Sequence, residues 1–406
     1  MNKPPREQMT AHPSPQKSTK SGWLIPACLL TGIFFLNFSG RIIFAPLLPA
    51  IERDLQISHG ASGSLFLSMS VGYFLSLLGS GYVASRLTHR RTLLLSSFLL
   101  GLILLGAALG AEIWQLHLGL FALGLAAGIY LPSGIATLTS LAGPQQWGRA
   151  LSIHELAPNL SFLLIPLVAE FLMLVISWRG VLAIFGLGSI LAGVIFLKIG
   201  RGGDFHGQRP NLISMGNLMR KGSFWGIMAL FALGVSSTIG VFTMLPVFLV
   251  EDAGMARSSA NLLVGFSRVA TLAAVLAGGL ASDRFGPRRT MGVALLLTGA
   301  LTACLGLFYG PWNILVIFLQ PLVAVCFFPA AFAAMSSVVA QEARNIIISL
   351  TVPFSFLIGG GLVPAAIGSM GDAGHFRSAF SLTGILITLG GVCALIFLPQ
   401  EKNNTT

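Results

Sequence analysis

The chain has 406 residues, 54% of them hydrophobic and 9% charged; soluble domains carry about 25% charged residues. With a mean hydropathy of +0.84 this excludes a soluble enzyme, a disordered protein and a nucleic-acid-binding domain. The net charge of +11 does not point to nucleic acid, because the basic residues sit in short loops between long apolar runs, as in a membrane protein.

Residues 1–22 are polar, Pro-rich and basic, and read as a disordered cytoplasmic tail rather than a signal peptide. Twelve apolar runs follow, each at least the roughly 20 residues that span a bilayer. They lie at about 23–50, 61–86, 92–111, 113–141, 149–176, 180–199, 222–250, 258–282, 289–309, 312–340, 345–371 and 376–398. The polar stretch 200–221 divides them into six and six. The expected organisation is a six-helix bundle over 23–199, a cytoplasmic linker over 200–221, a second bundle over 222–398 and a short cytoplasmic tail over 399–406. With the N-terminus inside, 18 of the 24 Lys and Arg fall on the cytoplasmic side, 4 in outer loops, and 2, Arg41 and Arg268, within spans. That bias places both termini in the cytoplasm of a multi-pass plasma-membrane protein, with the bacterial inner membrane as the expected setting.

A charge at the bilayer centre costs roughly 2.5–3.5 kcal/mol on insertion scales, so the two arginines are candidate functional groups. Arg41 lies in the first span with Asn37 one turn before it. Arg268 lies in the eighth, with Asn261 two turns before it. Glu155, beside His154 at the start of the fifth span, is the one acid placed inside the bilayer. One of the arginines therefore lacks a carboxylate partner, and an anionic ligand with oxygens suited to a guanidinium fork would supply it. The His154–Glu155 pair reads either as a proton-coupling site or as an ion pair near the membrane surface, and the second is favoured by its position. Tyr130, Asn159 and Gln320 are polar groups within spans, lining a path or bonding between helices.

No nucleophile–base pair, cofactor fingerprint or metal-ligand cluster is present in the sequence, and Cys28, Cys304, Cys326 and Cys393 form no C-x-x-C pair. Neither an enzyme nor a cofactor is expected.

The halves repeat each other. Leu48-Pro49 matches Leu245-Pro246 at an offset of 197, and Gly81-Tyr-Val-Ala-Ser85 matches Gly279-Leu-Ala-Ser-Asp283 at 198. Trp178-Arg179 matches Phe376-Arg377, and Gly186 matches Gly384, again at 198. Two six-helix repeats place a binding site between them at the bilayer midplane.

The run Gly279-Leu-Ala-Ser-Asp283-Arg284-Phe-Gly286-Pro-Arg288-Arg289 resembles the G-x-x-x-D-R-x-G-x-R-R loop of the major facilitator superfamily. The resemblance extends over the whole chain through helix count and repeat. It implies an all-α membrane protein of two pseudo-symmetric six-helix bundles and a secondary transporter working by alternating access. It further implies gating roles for Gly279, Asp283, Arg284, Gly286, Arg288 and Arg289. Arg90 and Arg91 stand at the same places in the first copy, where Ser85 replaces the Asp and Thr88 the Gly. Leu120 stands where the family's drug–proton antiporters carry an Arg, and the sugar-porter signatures are missing. Arg41-Ile-Ile-Phe-Ala45-Pro-Leu-Leu-Pro49 is similar to the first helix of its organic-anion carriers. The expected cargo is a small organic anion such as a carboxylate, held by Arg41 and Arg268 between the halves; a coupling proton or counter-anion and a monomeric state go with it. The alternative is an exporter of neutral or cationic compounds in which the arginines are structural.

Overall fold

The computed structural model describes residues 23–209, 212–338 and 344–397, so both expected tails lie outside the described residues. Among the described residues, twelve helices are long and apolar enough to cross a membrane. In the first half they are α1 (Leu24–Leu55), α2 (His59–Arg86), α3 (His89–Ala108), α4 (Ile113–Leu141), α5 (Trp147–Leu172) and α6 (Trp178–Ile199). In the second they are α7 (Gly222–Glu251), α8 (Arg257–Phe285), α9 (Pro287–Leu307), α10 (Pro311–Met335), α11 (Ile347–Asp372) and α12 (Phe376–Ile396). The two-bundle, all-α fold expected from the sequence is the one observed. The linker carries one short helix, Leu212–Met219.

Within each half the partners correspond: α1 lies on α5, α2 on α4 and α3 on α6, as α7 lies on α11, α8 on α10 and α9 on α12. The 198-residue offset reappears in three dimensions. Arg90 donates to Gly200 O (2.6 Å) and Leu197 O (3.1 Å), satisfying carbonyls that the end of α6 leaves open. Arg288 does the same for α12, at Ala394 O (3.3 Å), Ile396 O (3.2 Å) and Leu395 O. At the opposite end Arg179 pairs with Asp54 and donates to Gly110 O (3.1 Å). Arg377 pairs with Asp252 (2.7 Å) and donates to Phe308 O (2.9 Å). Glycines set the helix spacing in the same symmetric way. A Cβ on Gly101 would sit 2.5 Å from Gly186 O across α3/α6, and one on Gly299 would sit 2.7 Å from Gly384 O across α9/α12. Only Gly allows backbones to approach so closely, which is how helices pack where water supplies no hydrophobic drive.

The two loops of the repeated motif are built differently. Gly286 takes φ +88°, a conformation open to glycine, whereas Thr88 caps α3 through Oγ1, which accepts the Arg91 N–H. The linker then lies along the first loop: His89 N donates to Phe205 O (3.0 Å), Arg90 N to Gly203 O (2.8 Å) and Gly207 N to Ala84 O (2.8 Å).

Several helices are irregular at mid-length. α1 is interrupted at Ile43, α4 at Ile129, α8 over residues 267–270 and α10 over 325–326. α7 and α11 each hold a π-helical turn, Ser236–Gly240 and Ile358–Leu362. The two π turns touch, since a Cβ on Gly240 would meet Gly359 O at 2.6 Å. Such irregular backbone at membrane depth is tolerated only where protein or a cavity surrounds it, and π turns are frequent at functional sites.

Candidate functional site

Three of the irregular segments, the break in α1 and the two π turns, meet at a cavity between the halves. Phe38, Arg41 and Ile42 of α1 and Met69, Ser70 and Tyr73 of α2 form one wall; Ile239 and Thr243 of α7 and Phe356 and Gly360 of α11 form the other. It holds about 20 Å³, room for roughly one water molecule. Arg41 is buried here, two residues before the break in α1. Its guanidinium lies 4.6 Å from the Phe38 ring centroid, 4.5 Å from Tyr73 and 5.5 Å from Phe356. These ring faces attract a cation but cannot accept the in-plane N–H bonds a carboxylate would take. Its Nε has no hydrogen-bond partner and no carboxylate pairs with it among the described residues.

Arg268 occupies the break in α8, buried and likewise without an ion pair among the described residues. Its guanidinium lies 5.1 Å from the centroids of both Phe162 and Phe242, and its Nε is unpartnered. It does not line the same cavity as Arg41. Phe162 stands between them, edge-on to Phe38 at 5.2 Å and to Phe242 at 4.8 Å.

The other polar residues singled out are spread more widely. Asn37 donates to Ser96 Oγ and Ala127 O at 3.4 Å each, joining α1 to α3 and α4. Gln320 donates to Ser237 O (2.7 Å) and Thr302 Oγ1 (3.2 Å), the matching tie in the second half. Asn159 donates back to Glu155 O in its own helix (3.0 Å). Tyr130 donates to Leu30 O (2.7 Å) and meets His154 Nε2 (3.2 Å).

Two expectations about acids need correction. Glu155 is not a buried span residue: its side chain is 56% exposed, 3.6 Å from His154 Nδ1. The buried acid of α5 is Glu170, whose carboxylate accepts from Arg257 Nε (3.2 Å), Arg257 Nη2 (3.1 Å) and Asn261 Nδ2 (3.0 Å) across the interface between halves. Asn261 also donates to Pro46 O (3.1 Å), so the residue read as facing Arg268 belongs to this interface instead.

The Glu170 cluster is one of several contacts at the end of the molecule where α1 turns into α2, called here the far end; the opposite end carries the linker. Asp372 accepts the backbone N–H groups of His59 (2.7 Å) and Gly60 (2.9 Å), at the start of α2 where a helix favours an anion. Arg53 faces Glu251 at 3.6 Å. The hydrogen bonds, ion pairs and ring contacts that cross between the halves among the described residues run from mid-membrane, at Tyr73–Phe356 and Phe74–Phe354, to this far end. At the linker end Asp283, Arg284, Arg289 and Arg91 are exposed, and Asp283 has no ion pair among the described residues. The close-packing glycine of that motif is Gly278, not Gly279: a Cβ on Gly278 would meet Cys326 Cα at 2.6 Å, and one on Gly279 meets nothing within 4 Å.

Two six-helix repeats, closed on each other at one end with buried cations at the seam, define a secondary-transporter architecture. The chain belongs to the major facilitator superfamily, whose model matches residues 30–267 and 227–406. It is 22% identical to the 4-hydroxybenzoate transporter PcaK of Pseudomonas aeruginosa over 320 residues, 70% of this chain and 71% of that one. It is 23% identical to the nitrite extrusion protein of Bacillus subtilis over 364 residues, 87% and 85% of the two chains. Among solved structures, a bacterial homolog of the human lysosomal transporter Spinster, inward-facing and occupied, superposes with a TM-score of 0.80 at 17% identity, covering 93% of this chain and 97% of that one.

Proposed function

We propose that this transporter carries a small organic anion, an aromatic carboxylate first, with Arg41 as its anchor. The observation that supports the reading is a buried guanidinium surrounded by three rings and facing no carboxylate. A carboxylate would take the fork and an aromatic body would stack among Phe38, Tyr73 and Phe356. Two of the relatives are named for anions, 4-hydroxybenzoate and nitrite. A benzoate ring does not fit in 20 Å³. Admission requires α7 and α11 to withdraw from α1 and α2, which is what alternating access supplies. Arg268 is the second contact, reached when Phe162 turns away. The test is a thermal-shift screen of the purified protein with benzoate, 4-hydroxybenzoate, aliphatic carboxylates, and neutral and cationic compounds. Anions should raise the unfolding temperature and the others should not, since a ligand stabilises the state it binds. Stabilisation by cations or neutral compounds alone would overturn the reading.

The orientation goes with it: linker and termini in the cytoplasm, the far end outside, as the Lys and Arg bias requires. Single cysteines at Arg209 and Thr406, in a background lacking the native four, should resist impermeant maleimide in intact cells and react after lysis. Labelling of either in intact cells would reverse the orientation.

A further inference from the structure

A second buried titratable group lies in the first half, away from the cavity. His154 is fully buried in α5. Its ring stacks on Phe34 of α1 at 4.3 Å and 9°, and its Nε2 is 3.2 Å from Tyr130 Oη of α4. Tyr130 Oη is also 2.7 Å from Leu30 O. A carbonyl cannot donate, so the single phenolic proton points to Leu30, and Tyr130 accepts from His154. That assigns the proton of the neutral ring to Nε2 and leaves the lone pair on Nδ1. Nδ1 is buried with no hydrogen-bond partner, and 3.6 Å from Glu155 Oε1. Two acceptors thus face each other with no proton between them. Among the described residues, Tyr130 and Glu155 are the titratable groups at this ring; α1 contributes Phe34 and the Leu30 carbonyl.

We infer that His154 Nδ1 is the binding site for a coupling proton, delivered and then held by Glu155. The half-exposed Glu155 carboxyl takes a proton from solvent. It passes that proton to His154 Nδ1, so that an O–H bond breaks, an N–H bond forms, and the carboxylate remains as the counter-ion. Protonation turns a repulsive pair of acceptors into an ion pair, and the imidazolium gains the face of Phe34. Phe34, Phe38 and Arg41 follow at helical spacing along one face of α1. Phe34 meets Phe38 edge-on at 6.3 Å, and Phe38 lies under the Arg41 guanidinium at 4.6 Å. The proton and the cargo therefore bind at the two ends of one aromatic ladder. If the cargo is an anion, as proposed above, each charge favours the other, which selects co-transport in one direction. The proton site itself does not depend on the cargo.

The test uses the full-length protein in nanodiscs with ¹⁵N-labelled histidine. One of the 7 histidine signals should vanish in His154→Gln and identify the residue. At high pH it should show the Nε2–H tautomer, and on acidification it should gain a second N–H, at Nδ1. Glu155→Gln, at an exposed position, removes the counter-ion and should leave a smaller share of the rings doubly protonated than in the wild type under the same conditions. Spin labels at Gln145 and Ser223, exposed at the linker end of each half, should report a pH-dependent distance in the wild type and not in His154→Gln. A ring protonated at Nδ1 in its neutral form, or one that gains no second proton on acidification, would overturn the proton site. A full pH response in His154→Gln would overturn the coupling, and neither reading requires a known substrate.

Discussion

Replacing Arg41 by methionine should raise the thermal stability of the ligand-free protein and abolish anion binding together. The two effects have one cause. The guanidinium is buried among rings with an unpartnered Nε and no carboxylate. A buried charge without a carboxylate partner costs stability that the ring faces return only in part, and a well-packed apolar residue of similar length removes that cost. The same charge is what an anion would find. Losing a charge-assisted hydrogen bond is worth roughly 1.5–3 kcal/mol, about ten- to hundredfold in affinity. Arg41→Lys should keep the charge and lose most of the affinity, because an ammonium lacks the planar fork and stacks poorly on Phe38 and Tyr73. Arg268→Lys should weaken uptake by a similar factor. The measurements are thermal unfolding with and without the anion that emerges from screening, and uptake into proteoliposomes. A structural staple would behave in the opposite way: Arg41→Met would lower the unfolding temperature, and transport per folded molecule would persist.

Depth in the membrane is readable from a sequence, because it follows from counting residues between polar ends. The twelve spans, the six-plus-six division and the 198-residue repeat were legible for that reason, and the repeat reached as far as Arg90 and Arg288 capping equivalent helix ends. Rotation about a helix axis is harder. One residue is a turn of about 100°, so Gly278 and Gly279 differ in facing by more than a quarter circle, and only Gly278 meets α10. The same uncertainty exchanged the roles of Glu155 and Glu170. Both fall in the fifth apolar run; Glu155 is half exposed, and Glu170 is buried against Arg257 and Asn261. Its partners come from the other half, some 90 residues on, which no local pattern announces. A signal was available: Glu170 has no basic residue within a helical turn or two, so an acid at that depth requires a partner from another helix. Asn37 and Gln320 carry the same ambiguity in the sequence, and their amides bond inside each half.

Glu170→Gln should open the far end. The Glu170 carboxylate is buried and receives two hydrogen bonds from Arg257 and one from Asn261, and both donors lie on the first turns of α8 in the opposite half. Glutamine keeps the size but removes the charge, leaving Arg257 with a weaker acceptor. Breaking one charge-assisted set costs about 1.5–3 kcal/mol. A two-state protein feels that cost only in the state that makes the contact, so the population moves about ten- to hundredfold toward the far-end-open conformer. Asp283→Asn should move it the other way. Asp283 is exposed and unpaired among the described residues here, with the far end closed; its contact is expected in the state where the linker end closes, and removing it penalises that state. Spin labels at Ala111 and Ala373, exposed in far-end loops of the two halves, give the distance that decides. Glu170→Gln should lengthen it, Asp283→Asn should shorten or sharpen it, and the double variant should fall between. Lengthening in both would make Asp283 a part of the present closure rather than of its opposite, and an unchanged distance in Glu170→Gln would leave the far end held by Asp372 on the start of α2.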